Sequence, residues 1–213
     1  MARLKKLIIA CDGESASGKS TAAKLLSKKY QLLLINSGLI YRYCSKLIIK
    51  YKPKKIIPFL KKKFKFLNYK DIAKQKLHSE KISNHVAIIA KNKEVRKIVN
   101  KLQMKIIKSN NLICVEGRDI ASKILSKNPK YDVAFYFKCS LKVAAQRRWI
   151  ELKKKVPLKQ VKKSLQIRTL FDKKRKNSPL IQVKDAILIR TDKLNKKEVL
   201  AKMSKEINKL SKK

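Results

Sequence analysis

Leu7-Ile8-Ile9-Ala10-Cys11-Asp12-Gly13-Glu14-Ser15-Ala16-Ser17-Gly18-Lys19-Ser20-Thr21-Ala22-Ala23-Lys24-Leu25-Leu26 is the stretch of this chain that says most about its fold. The apolar run Leu7–Cys11 does not alternate with polar residues, as expected of a strand buried on both faces. Gly13–Ser20 then spells a complete G-x4-G-K-S, and Ala22, Leu25 and Leu26 continue with helical spacing. Strand, glycine loop and helix in that order form the context in which this spacing cradles phosphate. The glycines let the backbone curl so that successive N–H groups face phosphate oxygens, and the helix N-terminus adds a partial positive charge. Lys19 is placed to reach the β- and γ-phosphates, and the Ser20 hydroxyl to ligate Mg²⁺. The expectation is a nucleoside triphosphate surrounded by Gly13, Glu14, Ser15, Ala16, Ser17, Gly18, Lys19, Ser20 and Thr21.

Outward from this loop, short apolar runs alternate with helical periodicity. Leu32–Ile35, Leu112–Val115, Val133–Phe137 and Ala186–Ile189 read as four further buried strands. Helical spacing recurs at Val95, Ile98, Val99, Leu102 and Ile106, and again at Val199, Met203, Ile207 and Leu210. The βαβα order implies an α/β fold, with a central parallel five-stranded sheet and helices on both faces. Two stretches depart from this rhythm. Residues 50–82 are Lys-dense, carry Pro53 and Pro58 and read as an insertion. Residues 152–170 form a basic helical segment with Pro157. With no repeats and no Gly/Ser linker, residues 1–213 read as a single domain. Its core is about 1–49, 83–151 and 171–213, with two mobile attachments.

The 213 residues are 44% hydrophobic, which excludes wholesale disorder. No apolar stretch approaches the roughly 18 residues of a membrane helix, and the apolar run after Met1–Lys6 is too short for a signal peptide. A cytoplasmic protein with no membrane partner, acting as a monomer, is expected. Lys and Arg number 57 against 14 Asp and Glu, giving a net charge of +43. Such a charge raises a basic nucleic-acid-binding protein that keeps an ATP fold as one reading. Only nine of the 57 are Arg, however, and the Lys are scattered through almost every segment, as an AT-rich genome's codon bias produces. No specific nucleic acid is therefore expected. Cys11, Cys44, Cys114 and Cys139 form no CxxC pair and read as buried reduced thiols. His78 and His85, the two histidines, suggest no catalytic role, and Trp149 reads as helix packing.

Further landmarks follow in order: Asn36-Ser37-Gly38-Leu39-Ile40-Tyr41-Arg42, Val95-Arg96, Glu116-Gly117-Arg118-Asp119, and Arg168-Thr169-Leu170-Phe171-Asp172-Lys173-Lys174-Arg175 before Ser178-Pro179-Leu180. With the loop at Gly13–Ser20, this set resembles the bacterial cytidylate kinase family, the (d)CMP kinase branch of the P-loop nucleoside monophosphate kinases. The likeness runs from about residue 7 to residue 210. It implies transfer of the γ-phosphate of ATP to CMP or dCMP. It also makes residues 50–82 an acceptor-binding insertion and residues 152–170 a helical lid.

By the same resemblance, Ser37, Arg42 and Arg118 fall where relatives hold the acceptor's α-phosphate, with Tyr41 beside them. Arg96 and Asp119 lie on the nucleobase side and Asp172 at the sugar. Arg168 and Arg175 match arginines of the lid and catalytic centre, so that Lys19, Arg118, Arg168 and Arg175 form the catalytic set. Arg147 and Arg148 match a pair on the ATP side. Seven of the nine Arg are thereby placed. Relatives carry Asp where Asn36 and Glu116 stand, and Glu116 keeps a carboxylate able to orient a magnesium water. Nine residues before Arg96, Ala87 stands where relatives place a serine that helps recognise cytosine. The insertion also has little room between residues 64 and 82 for the family's small sheet. A P-loop kinase for another monophosphate such as UMP, or for a small metabolite, would explain Gly13–Ser20 equally well, but not the ordered later segments.

Overall fold

In the computed structural model, which describes residues 5–210, the expected strands form one sheet. They are β1 (Leu7–Gly13), β2 (Leu33–Asn36), β3 (Leu112–Glu116), β4 (Val133–Lys138) and β5 (Ile187–Arg190), each within two residues of the limits read from its apolar run. The order across the sheet is β2-β3-β1-β4-β5. The pairings β1–β3, β1–β4 and β4–β5 are parallel. β1 is thus the middle strand, and the connections on its two sides run in opposite directions, which opens a crevice at its carboxyl end. Both the Gly13–Ser20 loop and the Glu116–Asp119 turn leave the sheet at that end.

Burial on both faces explains the unbroken apolar runs. On one face Leu7, Ile9 and Cys11 join Phe135, Phe137 and Ile189 beneath Ala22, Ala23 and Leu26 of α1 (Lys19–Tyr30). Val199, Met203 and Ile207 of α9 (Lys196–Leu210) close the same cluster. On the other face Ile8, Ala10, Ile113, Val115 and Ala134 are buried just as fully. All four cysteines are buried free thiols, as expected.

The chain divides into two compact units, one formed by residues through Ile35 with those from Asn110 onward, the other by Asn36–Ser109. The sheet belongs to the first. So do a π-helical turn (Ile120–Ile124), α7 (Leu141–Glu151) and α8 (Leu158–Lys174). Ala144, Ala145, Val161 and Leu165 pack α7 on α8, and Trp149 lies against this cluster, the packing role its position suggested. The basic segment after Pro157 is α8, which runs past residue 170 and so carries Asp172.

The second unit is helical: α2 (Ser37–Tyr51), α3 (Ile56–Phe64), α4 (Tyr69–Ala73), α5 (Glu80–Ile89) and α6 (Lys93–Lys108). Residues 50–82 hold no strand among the described residues, in keeping with their shortness. Pro58 is tolerated because it falls in the first turn of α3, where its missing N–H breaks no helical bond. No described helix is long and apolar enough to cross a membrane. Of the described lysines, Lys19 is the one that is buried; nearly all the others are exposed. The large positive charge is therefore a solvated surface, and the loop lysine is set apart from it.

Candidate active site

Gly13 ends β1 where β4 passes closest. A side chain there would meet the Phe137 Cβ at 2.7 Å and the Phe137 nitrogen at 2.8 Å, and its φ of +154° suits glycine. The loop is then pinned by Glu14 N–H donating to Phe137 O (3.1 Å) and Ser17 Oγ to Glu14 O (2.9 Å). Gly18, at φ 83°, is the left-handed residue from which α1 starts. The first side chains of α1 are Lys19, buried, and Ser20, exposed. Lys19 Nζ lies 3.2 Å from Glu116 Oε2 at the end of β3, with side-chain exposures of 9% and 2%. The Glu that stands for the family's Asp thus reaches the loop lysine directly.

Asp12, the residue before the loop, was not singled out from the sequence. It is 2% exposed, and its two carboxylate oxygens accept the N–H groups of Ile120 (2.9 Å) and Ala121 (2.8 Å). This ties the carboxyl end of β1 to the turn that follows Arg118-Asp119. Burial pushes its carboxyl up to about 6, partly offset by those two hydrogen bonds. In the folded chain Asp12 therefore keeps its proton over a range in which the unfolded chain has released it. The resulting stability is complete below about pH 4 and is lost as pH rises through about 6, amounting to about 3 kcal/mol. Urea unfolding of the wild type and Asp12→Asn between about pH 4 and 7 should show this as a downward slope that the variant lacks. Parallel profiles would contradict it.

Arg118, Asp119, Asp172 and Arg175, scattered in sequence, are brought into one chain of alternating charge. Arg118 Nε donates to Asp172 Oδ2 (2.9 Å), Nη2 to Ser15 Oγ (3.0 Å), and Nη1 to the Gly13 carbonyl. Asp172 Oδ1 lies 3.6 Å from Arg175 Nη1, and Arg175 Nη2 lies 3.4 Å from Asp119 Oδ1. One guanidinium thus spans the phosphate loop and the carboxylate at the end of α8. Arg168 is half-buried one helical turn before Asp172. Lys173, also missed in the sequence, pairs with Glu14 at 2.7 Å and adds a second link from α8 to the loop.

On the far side of the loop, Arg147 donates to Thr191 Oγ1 (2.8 Å) and Thr191 O (2.6 Å), and Thr191 Oγ1 donates to Ser17 O (2.9 Å). Its neighbour Arg148 pairs with Glu151 at 3.0 Å, on the exposed side of α7. For a cation, the site offers the Ser20 hydroxyl and the Glu116 carboxylate, both hard oxygen donors. Among the described residues no group of three or more His, Cys, Asp or Glu could enclose one. Such a donor set suits Mg²⁺, which keeps most of its waters and phosphate oxygens.

In the helical unit, Asn36 caps α2 by accepting from Leu39 N–H (3.1 Å), a task Asn performs as well as Asp. This sets buried Ser37 at the helix start, with buried Tyr41 and Arg42 one turn on. Arg96, 5% exposed on α6, lies over the Tyr41 ring at 5.6 Å and donates to Ala90 O (3.3 Å). Arg42, 8% exposed, donates to Leu77 O (3.2 Å) and Ser83 Oγ (2.8 Å). All seven arginines read as functional are buried or half-buried, whereas Arg190 is exposed and Arg3 lies outside the described residues. Ala87 is half-buried on α5, one turn beyond Ser83.

The sequence model described as cytidylate kinase matches residues 9–209. A cytidylate kinase from Clostridium botulinum (strain Okra) is 33% identical over 216 residues, covering 94% of this chain and 97% of that protein. One from Aquifex aeolicus is 29% identical over 218 residues, covering 95% and 96%. Among solved structures, an uncharacterized protein from Eubacterium ventriosum superposes with a TM-score of 0.56 at 18% identity, covering 96% of this chain and 99% of that one, a likeness of fold. The phosphate loop, the ordered arginine segments and a match that runs nearly from end to end lead to one assignment: the chain belongs to the cytidylate kinase family.

Proposed function

We propose that the protein transfers the γ-phosphate of ATP to CMP or dCMP, giving ADP and the nucleoside diphosphate. The observation that carries this reading is Arg118, whose guanidinium touches the phosphate loop at Ser15 and Gly13 and the carboxylate of Asp172 at once. A cation so held joins the loop proposed for the donor phosphates to Asp172, one of the groups proposed for the acceptor. In this reading ATP phosphates lie on Gly13–Thr21, with Arg147 and Arg148 on the donor side. The acceptor is held by Ser37, Tyr41, Arg42, Arg96, Arg118, Asp119, Asp172 and Arg175.

A nucleoside monophosphate arrives largely ionised, so its oxygen is already a nucleophile and no general base is needed. What remains is to hold two anions in line and to neutralise the charge on the transferring group. Lys19, Arg118, Arg168 and Arg175 supply that charge in forms that cannot be displaced by water. When bound, Mg²⁺ would supply further neutralisation of the phosphate charge; Ser20 would hold it, with Glu116 acting through a water. Water at the acceptor position would convert transfer into hydrolysis. We therefore assign residues 50–82 as an acceptor flap and residues 152–170 as a lid, both closing before transfer. Asp172 and Lys173, at the end of α8, connect that lid to the loop.

A coupled ADP-release assay with ATP and each of CMP, dCMP, UMP, AMP and GMP tests the proposal. CMP or dCMP should give the highest kcat/KM. A higher value for UMP would reassign the acceptor, and no stimulation by any monophosphate would overturn the kinase reading.

A further inference from the structure

Ser83 was not marked by any motif, yet it is the residue of α5 that reaches Arg42. Its hydroxyl donates to the Ser79 carbonyl (2.7 Å), which can only accept, so its lone pairs are left to face Arg42 Nη1 at 2.8 Å. The same Nη1 donates to Leu77 O at 3.2 Å. Both hydrogens of one guanidinium nitrogen are thus committed to two acceptors that do not belong to α2, and this fixes the rotation of the guanidinium plane. The anchor is itself firm. Ser79 caps α5, its Oγ accepting Ile82 N–H at 3.3 Å, so the carbonyl that orients Ser83 belongs to a formed helix start. Arg42 is 8% exposed, so solvent does little to substitute for a lost partner.

Resting on the proposal that Arg42 binds the acceptor's phosphate, we infer that Ser83 is a positioning residue for that phosphate, acting through Arg42 and not on the cytosine. The serine that relatives offer to the base is Ala87 here, one turn further along α5. The hydroxyl at position 83 serves a different part of the same ligand.

The test is calorimetric affinity for CMP and for cytidine, which lacks the phosphate, with Ser83→Ala, Ser83→Thr, Arg42→Ala and the double variant Ser83→Ala/Arg42→Ala. Alanine is a good helix former, so Ser83→Ala leaves α5 intact. Ser83→Ala should weaken CMP roughly tenfold, the loss typical of one hydrogen bond to a charged group, and leave cytidine unchanged. Ser83→Thr should restore CMP to within about threefold, because its hydroxyl can make the same two bonds. In the Arg42→Ala background, Ser83→Ala should have no further effect. If Arg42→Ala leaves CMP affinity unchanged, the phosphate role of Arg42 fails and this inference with it. If Arg42→Ala weakens CMP but Ser83→Ala does not, or if Ser83→Ala weakens cytidine equally, only the inference about Ser83 is overturned.

Discussion

Exchanging Lys19 for methionine is expected to lower kcat by about 10³-fold or more, with ATP still bound by the loop amides. The ammonium is the one buried lysine among the described residues, carried by the first turn of α1 directly after the Gly13–Gly18 loop. In the role proposed for it, its charge acts most strongly while the γ-phosphoryl is in transit, when neutralisation lowers the barrier. The substitution has a second consequence, because Glu116 Oε2 stands 3.2 Å from Lys19 and is 2% exposed. Removing the cation leaves a buried carboxylate unpaired, which costs about 3–5 kcal/mol of stability. The two effects separate in Lys19→Met/Glu116→Gln. That double variant should recover most of the lost melting temperature and none of the activity. Recovery of turnover by the double variant would mean that Lys19 acts only by balancing Glu116.

The second large effect is expected for Arg118→Lys, with kcat down about 10²–10³-fold and the far-ultraviolet circular dichroism unchanged. Arg118 uses three nitrogens on three partners, Asp172, Ser15 and the Gly13 carbonyl. One ammonium on a flexible stem cannot hold those directions together, nor grip a phosphate by two parallel bonds. The charge is conserved in this substitution, so a loss measures geometry. Turnover within a few-fold of wild type would contradict the role given to Arg118.

Much of the fold could be read from the sequence because its determinants are local. Leu7–Cys11 and Val133–Phe137 are continuous apolar runs since both sheet faces are buried, and Gly13–Ser20 carries its geometry in its own backbone. The arginines stood out against a lysine-rich background for a chemical reason: a solvated surface needs only charge, which an ammonium supplies, whereas a grip by two parallel bonds needs the guanidinium fork. Other features depend on residues far apart in the chain. Asp12 meets Ile120 and Ala121, Glu14 meets Lys173, and Ser17 meets Thr191; no local pattern announces such pairs. Asp12 did leave one signal, a carboxylate at the end of an otherwise apolar strand. Ser83 left none, because a serine in a polar helical segment is ordinarily a solvated residue. The all-helical form of residues 50–82 was only half legible. Their length argued against a sheet, but Pro58 concealed a helix start.

Phosphorus NMR of a mixture of the protein, ATP, CMP and Mg²⁺ tests most directly whether the γ-phosphate passes to a nucleotide and not to water. CDP and ADP should appear in equal amounts while inorganic phosphate stays at background. ADP accompanied by inorganic phosphate, with CMP unconsumed, would contradict the assignment.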